Sequence, residues 1–295
     1  MTELAIILAV AYNLIYPYWN SKRRDQSVAG YLAMTIINAP NIVFHPFGIL
    51  VLLLLGIFSL PSNLAFYASW AFMTVTGAVA FSLTMTGLKR TKFFAVEVIN
   101  KFSFAVVALM AMLVLGERYT GLQVGAIVLG GVGVLLFAWP KRKAGAKFVF
   151  DQGVMLAILG LLINSVSLIY YKYAATLAPS YVQFLSGRFV SDIVTWGLVW
   201  YISAVWVKRS FKKEFKGYFG DMRILAVSYG IALTNMVSSW LVFVLPASTF
   251  SMLLILSMPS AYLLGRHKYQ EGTTKRMAAG SVLIALAVVG FVIYK

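Results

Sequence analysis

The chain has 295 residues, 61% hydrophobic and 12% charged, with a formal net charge of +16 and a mean hydropathy of +0.84. Soluble domains are about 45–50% apolar and roughly 25% charged, so an ordinary globular domain is excluded and a membrane protein is indicated. No cysteine occurs, which excludes disulfides, thiolate catalysis and cysteine metal sites.

A helix needs about 20 apolar residues to cross a bilayer core of roughly 30 Å. Ten such runs follow in chain order: 3–20, 34–60, 64–87, 93–115, 120–139, 153–176, 181–207, 223–245, 247–265 and 277–294. The first has no basic leader and no small-residue cleavage site after Asn13, Tyr16 and Pro17, so it is expected to stay as a segment. The second contains Pro40 and Pro46, which should kink or break it.

The basic residues sort between the runs. Lys22, Arg23 and Arg24 follow the first, and Lys89, Arg90 and Lys92 follow the third. Lys141, Arg142, Lys143 and Lys147 follow the fifth, six occupy the stretch from Lys208 to Arg223, and Arg266, Lys268, Lys275 and Arg276 follow the ninth. Twenty of the 25 Lys and Arg thus lie in odd-numbered connections. By the positive-inside rule these connections are cytoplasmic and both termini face outside, in a plasma or bacterial inner membrane. Dispersed this way, the basic charge reads as topology signals and contacts to anionic lipids, and no nucleic-acid partner is expected.

The chain reads as two copies of a five-segment unit, residues 1–140 and 153–295, joined by a cytoplasmic linker at 141–152. Asn13 matches Asn164, Ser82 matches Ser239, Thr91 matches Ser248 and Gly125 matches Gly280, all at similar offsets. Five spans is an odd number, so the second copy is inverted relative to the first. Inverted repeats place a solute near mid-membrane between the halves and permit alternating access. The expected fold is therefore all-α and integral to the membrane, ten helices in two inverted repeats.

Segment four ends Leu115-Gly116-Glu117, and Gln123 and a glycine-rich fifth segment follow; segment three ends Gly87-Leu88-Lys89-Arg90-Thr91. This pattern resembles the EamA-like branch of the drug/metabolite transporter superfamily across nearly the whole chain. In the second half Arg266 follows Gly265 where the first half has Glu117 after Gly116, and the place matching Pro259 is Lys101-Phe102. The resemblance implies a carrier of small metabolites, often amino acids moved outward, without ATP.

Charged side chains at membrane depth cost at least about 2.5–3.5 kcal/mol each on insertion scales and persist where they pair or line a polar route. Glu97 and Lys101, beside Asn100, share a helix face in the favourable order for an intrahelical pair. Glu97 is a candidate for binding and proton coupling, the alternative being a pair that merely neutralises itself. Arg188 and Asp192 are also four apart; Arg188 either meets a carboxylate or phosphate through its planar fork, or snorkels to the membrane border. Lys172 is expected to snorkel. Further candidates are Asn13 and Asn164, Tyr12 and Tyr16, Asn235 and Ser239 on segment eight, and Ser257 before Pro259. His45 is a second proton-coupling candidate. The Gly121/Gly125 and Ser281/Ala285 spacings predict close packing, within the bundle or in a homodimer through segments five and ten.

No hydrolase elbow, zinc-protease or P-loop motif occurs, and two histidines without cysteine give no zinc site. The expectation is a secondary transporter, not an enzyme, needing no cofactor or metal, for a zwitterion such as an amino acid, exported. Three alternatives stand: an exchanger of organic anions or phosphorylated metabolites, favoured if Arg188, Lys101 and Lys172 all face the cavity; a membrane protein acting on lipid; and a non-transporting sensor or scaffold, which should lack a continuous central cavity. Orientation is testable because the chain is cysteine-free. With Ser62→Cys and Ser210→Cys, an impermeant thiol reagent on intact cells should label position 62 and spare 210; the opposite pattern defeats the charge argument.

Overall fold

The computed structural model describes residues 2–28, 32–91, 96, 99–138, 152–206, 208, 210, 212, 216, 218–220, 222–269 and 275–293. Among them all regular structure is helical: α1 (Thr2–Val28), α2 (Ala33–Leu54), α3 (Leu64–Arg90), α4 (Ser103–Val114), α5 (Gly121–Ala138), α6 (Gln152–Thr176), α7 (Tyr181–Trp206), α8 (Met222–Val244), α9 (Ala247–Leu254), α10 (Ser257–Tyr269) and α11 (Lys275–Ile293). Glu97, Glu271 and all of the expected linker except Gln152 lie outside the described residues.

Among the described residues, four helices are long and apolar enough to cross a membrane: α3, α6, α7 and the Ile224–Val244 part of α8. Shorter apolar stretches lie at Phe44–Leu54, Ile99–Val114, Gly121–Leu136 and Ala278–Val292. Large apolar side chains such as Ile7, Leu113, Val194, Leu198 and Val282 are exposed on the outside of the bundle. An apolar exterior of this extent would be an aggregation liability in water and is the expected face toward lipid.

The helices pack as antiparallel pairs drawn together by small residues. Along α3 and α6, a Cβ on Gly87 would meet the Gly153 carbonyl at 2.9 Å, and one on Gly160 would meet Thr84 at 2.8 Å and the Ala80 carbonyl at 3.1 Å. Further along, Ser167 donates to the Met73 carbonyl at 3.0 Å. α5 and α11 approach where a Gly133 Cβ would meet Ile284 at 2.9 Å and the Gly280 carbonyl at 3.0 Å. α2 meets α7 through Gly48 under the Phe189 ring and through Trp200 donating to Thr35 at 3.0 Å. α1 meets α8 where Gly230 accommodates the Trp19 ring. The close approach of α5 and α11 does not use the expected spacing: Gly121 and Gly125 face open space, because the contacting face runs through Ala126 and Gly133 instead.

Two of the expected segments are interrupted. In segment nine, Ile255 and Leu256 form a turn between α9 and α10. Pro259 lacks the amide hydrogen that would bond the Ile255 carbonyl. Met258 donates to that carbonyl at 3.0 Å instead, and Ser257 Oγ covers the Leu254 carbonyl at 2.7 Å. Segment four breaks at Phe102, which donates to the Ile99 carbonyl at 3.0 Å while Ala105 donates to Phe102 at 3.1 Å. No proline explains this second break; it falls beside Lys101.

Tight packing gives a direct test. Gly133→Val or Gly87→Val should destabilise the purified protein by at least about 1–3 kcal/mol through overpacking, read as a lower midpoint of thermal unfolding in detergent. Gly125→Ala should leave that midpoint unchanged or raise it. A Gly125→Ala loss as large as that of Gly133→Val would contradict the assigned face.

Candidate functional site

A chamber of about 300 Å³ lies inside the bundle, walled by residues of both chain halves: Tyr12, Tyr16, Asn20 and Arg23 from α1, Trp70 to Leu88 from α3, and Asn100, Lys101 and Ser103 at the segment-four break. From the second half come Asn164, Ser167 and Tyr171 of α6, Arg188, Asp192 and Trp196 of α7, Asn235 and Ser238 of α8, and Phe250 and Leu254 of α9. The volume is at the lower end of small-molecule sites, about 300–1,000 Å³.

Asp192 is the chamber's best-held charge, with 3% of its surface exposed. Trp70 Nε1 donates to Asp192 Oδ1 at 2.7 Å, and Arg188 Nε donates to Oδ2 at 3.3 Å. Arg188 also donates through Nη1 to the Asn235 carbonyl at 3.1 Å, tying α7 to α8. His45 Nδ1 lies 3.6 Å from Asp192 Oδ2, too far for a hydrogen bond, and is buried without a partner. The α7 pair therefore faces inward and does not snorkel to the border. Breaking such a pair by removing one partner is costly, about 3–5 kcal/mol, because it strands the other charge.

Beyond this pair, toward the ends of α3 and α7 away from the basic connections, an aromatic cluster closes the bundle. Trp70 stands 5.3 Å from Tyr171 and 5.7 Å from Phe184, ring centre to ring centre, and Phe66 stacks on Trp70 at 5.6 Å. Phe243 lies 5.6 Å from Phe184 and 5.5 Å from Tyr181. Tyr171 is pinned by its hydroxyl, which donates to Ser239 Oγ at 2.9 Å. The chamber wall extends the other way, to Arg23 and Leu88 near the basic ends of α1 and α3.

The sequence candidates divide on this geometry. Tyr12, Tyr16, Asn100, Lys101, Asn164, Arg188, Asp192 and Asn235 line the chamber. Lys101 sits over the Tyr16 ring, 5.1 Å from its centre. Asn13 is fully buried and donates to the Ala9 carbonyl of its own helix at 2.7 Å, so it differs in placement from Asn164. Ser239 supports Tyr171, and Ser257 shapes the α9–α10 turn. Lys172 reaches the end of the bundle: Nζ donates to the carbonyls of Val242 at 2.8 Å and Phe243 at 3.1 Å, capping the end of α8.

Trp70, Tyr171 and Trp196 carry no sequence signal that separates a chamber wall from an interfacial belt. Glu117 carried one, in the Leu-Gly-Glu pattern. Its carboxylate accepts from the amides of Ala247 at 2.8 Å and Ser248 at 3.3 Å, and from the Ser248 hydroxyl. It thereby caps α9, where unpaired amides and the helix dipole favour an anion. Burial pushes the Tyr119 phenol up to about 12, so at neutral pH it stays a donor, to the Ala108 carbonyl at 2.9 Å and to Glu117 at 3.3 Å.

No family model matches the chain, and no curated protein does. Among solved structures, one described only as the crystal structure of a protein aligns over 99% of this chain and 97% of its own, with a TM-score of 0.66 at 12% identity. At that identity the likeness concerns the fold alone. The class that helices and exterior define is an all-helical membrane protein.

Glu117→Ala should lower the apparent unfolding midpoint by the equivalent of about 0.5–2 kcal/mol, the range for a lost helix cap. Glu117→Gln, which keeps one acceptor oxygen, should lose less. Equal midpoints for wild type and Glu117→Ala would show that the cap contributes nothing.

Proposed function

We propose that this chain is a secondary transporter of ten membrane segments in two inverted five-segment repeats, moving a small zwitterion such as an amino acid by alternating access. The carrying observation is the chamber itself: lined by polar and apolar side chains, sized for a small solute, and walled by both halves around a buried Arg188–Asp192 pair. A structural ion pair would need no cavity at its side, whereas a solute route needs both.

The pairing of segments supports the repeat. Segments two and seven, four and nine, and five and ten pack on each other. Each pair maps onto itself when every segment is exchanged for the one five places on. The contact of segments three and six corresponds likewise to that of one and eight, and the contact of one with nine to that of six with four. The interruptions at Phe102 and at Ile255–Leu256 fall at comparable depths of the matched segments four and nine. Interrupted helices at matched places are a feature of solute sites in inverted-repeat carriers.

Arg188 offers its guanidinium to a carboxylate, and Asp192, at the same depth, balances it for a zwitterion. The organic-anion reading was favoured if Arg188, Lys101 and Lys172 all faced the chamber; Arg188 and Lys101 do, whereas Lys172 is engaged on the α8 carbonyls. Closure by aromatics at one end and a wall extending to the basic end suit a carrier open toward the basic side. Under the charge rule that side is cytoplasmic, and outward movement follows the EamA-like resemblance.

A thermal-shift screen of amino acids, nucleosides and phosphosugars would find the solute, because a bound ligand raises apparent stability. With that solute in proteoliposomes, Arg188→Gln should abolish exchange, and Arg188→Lys should weaken binding at least about tenfold through loss of the planar fork. Near-normal exchange by both variants would remove Arg188 from the binding site.

A further inference from the structure

Among the basic residues that read as topology signals, Arg23 behaves differently from its neighbours. Lys22 lies outside over the Tyr18 ring, 5.4 Å from its centre. Lys268 is paired with Asp25 at 2.5 Å. Arg23 instead turns into the bundle, with 6% of its surface exposed, and lines the chamber. A charge that only sets topology belongs in water or among lipid head groups, where it keeps its hydration.

The partners of Arg23 do not satisfy it. Nη1 donates to Asn20 Oδ1 at 3.3 Å, and the guanidinium lies 5.6 Å from the centre of the Phe81 ring. Nε is buried without a hydrogen-bond partner. No carboxylate pairs with Arg23 among the described residues, since Asp25, two positions on, holds Lys268. A buried cation without a counter-charge is unfavourable unless an anion completes it. The free Nε edge is the one that binds a carboxylate or phosphate through two parallel hydrogen bonds.

We propose that Arg23, steadied by Asn20, forms a second anion subsite at the basic end of the chamber, taking a carboxylate or phosphate group. The site is distinct from Arg188. Tyr12 and Trp70 mark the level of the central pair, and Arg23 and Phe81 lie eleven residues further along α1 and α3, about 16 Å at the helical rise. Placed at the mouth and at mid-depth of one chamber, the two arginines act in succession: Arg23 collects the anionic group and Arg188 receives it. The role as a first station rests on the carrier reading; the binding of an anion does not. A phosphate could come from the aqueous phase or from the head group of an anionic lipid, since Arg23 sits at the end of α1.

Thermal unfolding of the full chain in neutral detergent, with inorganic phosphate titrated against chloride at matched ionic strength, tests the site without any transport step. Wild type should show a saturable rise in midpoint. Arg23→Gln should raise the apparent Kd at least about tenfold, Arg23→Lys should fall between, and Lys22→Gln, at a residue that does not line the chamber, should keep the response. Absence of a response in wild type, or an unchanged response in Arg23→Gln or Arg23→Lys, overturns the site. In nanodiscs, a phosphate response present in phosphatidylcholine and lost in phosphatidylglycerol identifies the head group as occupant; a response kept in both identifies the free anion. Failure of solute exchange with the phosphate response intact would sink the carrier reading alone.

Discussion

Everything in the middle of this bundle depends on holding the Asp192 carboxyl group, 3% exposed, away from water. Three elements contribute to that one group: α7 itself through Arg188, α3 through the Trp70 indole, and α8 through the Asn235 carbonyl that holds Arg188. These bonds fix how α3, α7 and α8 approach one another, and the chamber is the space they leave. The aromatic closure beyond them follows from the same constraint, since Trp70 donates to Asp192, stacks on Phe66 and meets Phe184 edge-on.

Small residues let the helices come close enough for this. Gly87, Gly160 and Gly133 bring backbones into contact where any side chain would clash. In lipid there is no hydrophobic drive between helices, so such close van der Waals contact and the few interhelical hydrogen bonds carry the association. The long antiparallel contact of α3 with α6 joins the two halves along one wall, and Glu117 on the end of α9 joins them again at the end away from the basic connections.

Helix positions were legible because lipid demands long apolar runs, and Arg188 with Asp192 stood out because a charge inside such a run needs a reason. What the sequence concealed has physical causes. Trp70 and Tyr171 look like any interfacial aromatics until a carboxylate is found beside one of them. Arg23 sits in a basic cluster whose topological meaning masks one inward side chain. The Gly121/Gly125 spacing suggested close packing in the bundle or a homodimer, yet segments five and ten approach at Gly133, on a different stripe. Asn13 and Asn164 match in register, yet one bonds its own helix and the other meets the chamber; register does not set a side chain's partner. The Pro259 break followed from a missing amide, whereas the break at Phe102 had no such signal.

The central claim is that the chamber around Arg188 and Asp192 opens to the two sides in turn, the aromatic end parting when the basic end closes. Ser59 and Gln183 join the two halves across that aromatic end, Nε2 of Gln183 donating to Ser59 Oγ at 3.2 Å. With Ser59→Cys and Gln183→Cys in this cysteine-free chain, a short reducible thiol cross-linker should stop solute exchange in proteoliposomes, and reduction should restore it. Full exchange while the cross-link is intact would contradict the account.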